Sequence, residues 1–145
     1  MKKEKNFQKR FVKEAERLDL QSIELSNLMN PDGKPDLLLL HPNNYLYIEI
    51  KISEHKQDFM IKSLFTGRPL QLPYYYAFLK SHEWRIYVLI KMNRGFEVLK
   101  LNRKMVKAIM AGLKYKELST DWFMNSNFFT NKEELFCYLK GELVK

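Results

Sequence analysis

Asp36, Glu49 and Lys51 are two carboxylates and an ammonium in a pattern that can bring them together. Pro35-Asp36 opens the apolar run Leu37–Leu40, a polar turn follows, and a second run ends in Glu49-Ile50-Lys51. Paired carboxylates suit a hard divalent cation, which takes oxygen ligands. With an ammonium beside them, the set can face a phosphodiester and offset the charge that grows on it during displacement.

The elements that must position these groups are legible nearby. Lys34 precedes Pro35 and is thereby biased toward extended backbone. The unbroken run Leu37–Leu40 predicts a strand buried on both faces. His41-Pro42-Asn43-Asn44 is turn chemistry, because proline cannot continue a ladder and asparagine tolerates left-handed backbone. Tyr45–Ile52 then alternates: Leu46, Ile48, Ile50 and Ile52 share one face, and Tyr45, Tyr47, Glu49 and Lys51 share the other. A hairpin of this kind turns Asp36 back toward Glu49 and Lys51. A slip of one residue would point it away.

The remainder of the chain supplies the frame. Phe7, Phe11, Ala15 and Leu18 predict a helix over residues 4–18, and residues 20–25 predict a first strand before the loop 26–34. Residues 53–65 have no clear period and read as a loop or short helix. Gly67-Arg68-Pro69 leads into a helix over 70–80, with Pro73 confined to its first turn. Strands are predicted over 84–90 and 96–101, joined across Asn93-Arg94-Gly95. A helix follows over 102–112. Thr130-Asn-Lys-Glu133 has the capping-box pattern for a last helix carrying Leu135, Phe136, Leu139 and Leu143.

The segment from Asp36 to Lys51 resembles the PD-(D/E)XK nuclease superfamily, with Asp36, Glu49 and Lys51 as its signature residues. It is most similar to small phage-type VRR-NUC nucleases and, more distantly, to Holliday-junction resolvases. Glu4-Lys-Asn-Phe-Gln8 also resembles the Glu-x-x-Phe-Gln opening of the phage proteins. The resemblance implies an α/β fold with a restriction-endonuclease-like αβββαβ core over residues 1–101, and a C-terminal helical extension, 102–145, packed on the same domain. It implies a metal-dependent DNA endonuclease acting on branched or structured DNA. Mg²⁺, replaceable by Mn²⁺, would sit on Asp36, Glu49 and the carbonyl of Ile50, and Lys51 would neutralise charge or orient the attacking water. It implies a homodimer, since a junction has two strands to cut, and an intracellular, virus-encoded protein.

Accessory residues follow from the same resemblance. Gln71 and Tyr75 lie four apart on one helix face, where related nucleases carry residues that position metal or substrate. A helix-borne acid is common in such enzymes. Glu4 continues the stripe of Phe7, Phe11, Ala15 and Leu18, whereas Glu14 sits at its flank, so Glu4 is preferred and Glu14 stands second. Lys9, Lys56, Lys62, Arg68 and Tyr75 are the candidate DNA contacts.

Composition agrees with such a partner without choosing it. The chain has 145 residues, enough for one domain with a proper core, and 46% are hydrophobic. Its 25 Lys+Arg against 17 Asp+Glu give a net charge of +8, which favours a polyanion. The lone Cys137 excludes an internal disulfide and fits a reducing, cytoplasmic compartment. His41, His55 and His82 are scattered, so zinc is not expected. Isolated glycines offer no phosphate-binding loop. A membrane-surface protein is disfavoured, because Glu14, Glu16 and Asp19 offset the basic residues of the first helix. A non-catalytic nucleic-acid-binding module on the same fold is the other alternative, disfavoured by the intact Asp, Glu and Lys. Junctions, flaps, nicked or plain duplex and RNA all remain open as substrates.

Overall fold

Alternation along one strand decides how the molecule is layered. In the computed structural model, which describes residues 2–25, 34–54, 58–81, 85–119 and 125–145, the elements run α1 (Lys2–Arg17), β1 (Gln21–Glu24), β2 (Leu37–His41), β3 (Asn44–Ile52), α2 (Gln71–Ser81), β4 (Ile86–Met92), β5 (Gly95–Lys100), α3 (Arg103–Met110), β6 (Ser126–Phe129) and α4 (Lys132–Leu143). Short 3-10 turns add Ile61–Phe65 and Tyr115–Glu117. The strands form one six-stranded sheet in chain order. All neighbours are antiparallel except β3 and β4, which are parallel and connected through α2.

Leu46, Ile48 and Ile50 of β3 point to one face, where Phe7, Phe11 and Ala15 of α1 and Leu135, Phe136 and Leu139 of α4 close over them. On the other face, Leu72 and Tyr75 of α2, Met105, Val106 and Ile109 of α3, and Ile61 and Phe65 cover Ile86, Val88, Ile90 and Leu99. Each fully buried Leu, Ile or Phe contributes roughly 1.5–3 kcal/mol, so both layers are held by apolar burial. Phe11 and Phe136 lie 4.9 Å apart, so the C-terminal segment shares the core of α1.

Three local expectations are corrected. Leu37 and Leu39 are buried but Leu38 and Leu40 only partly so, and β2 is therefore half covered on its second face. The last helix is capped by Asn131, one residue later than predicted, whose side chain accepts from the Glu134 amide at 2.9 Å. The C-terminal segment also adds a strand, β6, alongside its helices. Gly95 is why β6 fits there: a Cβ at this position would come within 2.2 Å of the Phe129 carbonyl oxygen.

Candidate functional site

Register brings the acids together. Leu37 pairs with Ile48 across β2 and β3, so the next step places Asp36 opposite Glu49 on the same face. Asp36 is anchored there by the Ile50 amide, which donates to its Oδ2 at 2.8 Å. The Leu25 amide in turn donates to the Asp36 carbonyl oxygen at 2.8 Å. Lys51, two residues beyond Glu49, projects to the same side, and its Nζ lies 3.1 Å from Glu49 Oε2. All three side chains are buried, with Asp36 8%, Glu49 2% and Lys51 5% exposed. The group sits at the carboxyl end of β3, where open α/β sheets bind ligands.

The surrounding elements complete the cleft. Tyr75 of α2 donates from its hydroxyl to Glu49 Oε1 at 3.1 Å. One turn earlier, Gln71 is fully buried at the start of the same helix. The ring of Phe65 lies 4.6 Å from the Lys51 ammonium, a cation–π contact that compensates part of its lost hydration. Phe65 is a site residue that sequence reasoning missed. Nothing in the irregular segment 53–65 marks it, and only the 3-10 turn carries it over the lysine.

Electrostatics follow from burial and crowding. Burial, and then the Asp36 carboxylate, push the Glu49 carboxyl up to about 8, while Lys51 and Arg68 pull it partly back. Burial also raises Asp36, against the Ile50 amide, Arg68 and Lys51, and Glu4 raises it further. Two carboxylates side by side resist ionising together. Arg68, itself exposed, therefore acts on both acids.

The other expected residues divide clearly. Glu4 is half-buried and its charge reaches Asp36. Glu14 instead pairs with Arg17 at 2.7 Å on the flank of the same helix. Lys9 and Lys62 are exposed. Lys56 lies outside the described residues. Tyr75 is corrected: it was expected to touch DNA, but it is 0% exposed and spends its hydroxyl on Glu49. A phenol packed between helix and sheet cannot reach a base or phosphate.

Helix, three antiparallel strands, helix and a parallel fourth strand make up a mixed α/β core, and the chain continues through β5, α3 and β6 to end in α4. No family model and no curated protein matches the sequence. Among solved structures, the chain is similar to Hjc, a Holliday junction resolvase from the archaeal hyperthermophile Archaeoglobus fulgidus, with 17% identity and a TM-score of 0.46 over 66% of this chain and 75% of that one. Among the described residues, no helix is long and apolar enough to cross a membrane.

Proposed function

We propose that this protein is a metal-dependent nuclease that hydrolyses phosphodiester bonds in DNA, with branched or structured DNA as its preferred substrate. The observation that carries the proposal is the convergence of Asp36, Glu49 and Lys51 at one end of one sheet face. The donor set fits Mg²⁺: two hard carboxylates stand side by side, nearly out of water, with both pKa values raised. A dication relieves that crowding, and Mn²⁺ satisfies the same oxygen donors.

Asp36, Glu49 and the carbonyl of Ile50 would hold the ion. When bound, the ion supplies Lewis-acid chemistry, lowering the pKa of a water and offsetting charge on the phosphoryl oxygens. The chain's own residues do the rest. Tyr75 keeps one Glu49 oxygen oriented, and the Ile50 amide does the same for Asp36. Lys51, released from Glu49, offsets the charge that grows on the phosphate or orients the attacking water. Arg68, Lys9 and Lys62 draw the phosphate backbone toward the site, and Glu4 and Gln71 support the acids from the neighbouring helices. A junction presents two strands to cut, so the acting form would be a homodimer.

The test is incubation of purified protein with labelled junction, flap, nicked and linear DNA, and RNA, in Mg²⁺, Mn²⁺ or EDTA. Metal-dependent scission of DNA, fastest on branched substrates, is expected. Binding without scission under every metal condition would overturn the proposal in favour of a non-catalytic nucleic-acid module.

A further inference from the structure

A basic pocket lies on the α1 side of the sheet. Where the ends of β3 and β4 meet the first turns of α1, a pocket of about 220 Å³ is lined by Lys3, Asn6, Arg10, Ser53, Lys91 and Asn93. The Ser53 amide donates to the Lys91 carbonyl oxygen at 2.9 Å, so strand pairing continues into the pocket wall. Three cations, two amides and a hydroxyl are donors suited to a compact, hard oxyanion. Glu54 also lines the pocket and pairs with Lys3. That pair is exposed on both sides, so an incoming anion can displace the carboxylate at little cost.

Lys91 and Arg10 are the telling residues. The Lys91 ammonium lies 5.9 Å from the ring centres of both Phe7 and Phe96, which hold it half-buried over the core. Among the described residues neither Lys91 nor Arg10 is ion-paired with a carboxylate. Ser53 follows Lys51 by two residues, so the pocket opens at the same end of the sheet as the acids but on the α1 side.

We infer that this pocket is a phosphate subsite, which seats a phosphate group of the nucleic-acid strand engaged at the candidate active site. The biological ligand rests on the nuclease proposal, but the binding does not. The same chemistry could come from a terminal monoester or an internal diester.

Calorimetric titration in EDTA with the Asp36→Asn protein separates these questions, because neither metal nor cutting is required. The probes are inorganic phosphate and single-stranded oligonucleotides with a 5′-phosphate or a 5′-hydroxyl. Lys91→Gln and Arg10→Gln should each weaken oligonucleotide binding by about threefold or more and lower the salt slope by roughly one. Arg10→Lys should retain most of the affinity, and circular dichroism checks that each variant is folded. A 5′-phosphate advantage that disappears in Lys91→Gln assigns the terminal monoester; equal binding of both oligonucleotides, weakened alike, assigns the internal diester. If Lys91→Gln and Arg10→Gln bind phosphate and oligonucleotide as tightly as Lys140→Gln on α4, the subsite is overturned, whether or not the wild-type protein cuts DNA.

Discussion

The Tyr75 hydroxyl donates to Glu49 Oε1 at 3.1 Å while Lys51 takes Oε2, so the buried glutamate is held by one partner on each oxygen. Tyr75→Phe removes one hold and keeps the ring. Loss of a positioning partner of this kind costs about 10–100-fold in metal affinity or activity. Cleavage should fall within that range with DNA affinity unchanged, and Mn²⁺ titration should show weaker binding. Wild-type metal affinity in Tyr75→Phe would remove it from the site.

Asp36→Asn, Glu49→Gln and Lys51→Ala should each lower cleavage by about a hundredfold or more, the loss of several kcal/mol of transition-state stabilisation. Asp36→Asn should also raise the melting temperature in EDTA, because the asparagine oxygen can still accept from Ile50 while the carboxylate crowding is gone. Added Mg²⁺ should stabilise the wild type and not this variant. Full activity in any of the three removes that residue from the mechanism.

Glu4→Gln should reduce cleavage partially, because a carboxylate close enough to act on Asp36 adds to the negative potential that would hold a dication there. Glu14→Gln loses only a surface pair with Arg17, about 0–1 kcal/mol of stability, and should cut at the wild-type rate. Rates measured side by side decide between them, and a slower Glu14→Gln would reverse the assignment.

Glu142 on α4 sets an acid limb for stability. Burial pulls its pKa upward, but Lys145, the Tyr87 hydroxyl and Lys100 outweigh it and hold the carboxyl at about 2. A depressed folded-state pKa stabilises the fold above the unfolded value near 4.5, and that stability is lost as pH falls toward about 2. The effect is on the order of 2 kcal/mol. Denaturant unfolding at pH 5 and pH 2.5 should show this loss in the wild type, and Glu142→Gln should lack that component. An identical acid limb in both proteins would refute it.

Local pattern alone determined much of this protein. Period-two alternation from Tyr45 to Ile52 placed Glu49 and Lys51 on one face, because side chains of a strand must alternate. Asparagine and proline at 41–44 set the hairpin, and the apolar stripe through Phe7, Phe11 and Ala15 put Glu4 on the sheet side of its helix. What required tertiary structure was everything that depends on packing between distant segments. The pairing of Leu37 with Ile48 chose the register that carries Asp36 to Glu49, where a slip would have sent it to the opposite face. Phe65 reached Lys51 only through a 3-10 turn with no periodic signature. Tyr74, Tyr75 and Tyr76 are alike in sequence, and only the packing of α2 against the sheet decides that Tyr75 is the one buried on Glu49. Phe128 and Phe129 became strand because the β5 edge offered unpaired backbone groups and Gly95 left room for them. Periodicity acts between neighbours in the chain and survives in the sequence. Register, burial and pKa arise from neighbours in space, and appear only once the layers have closed.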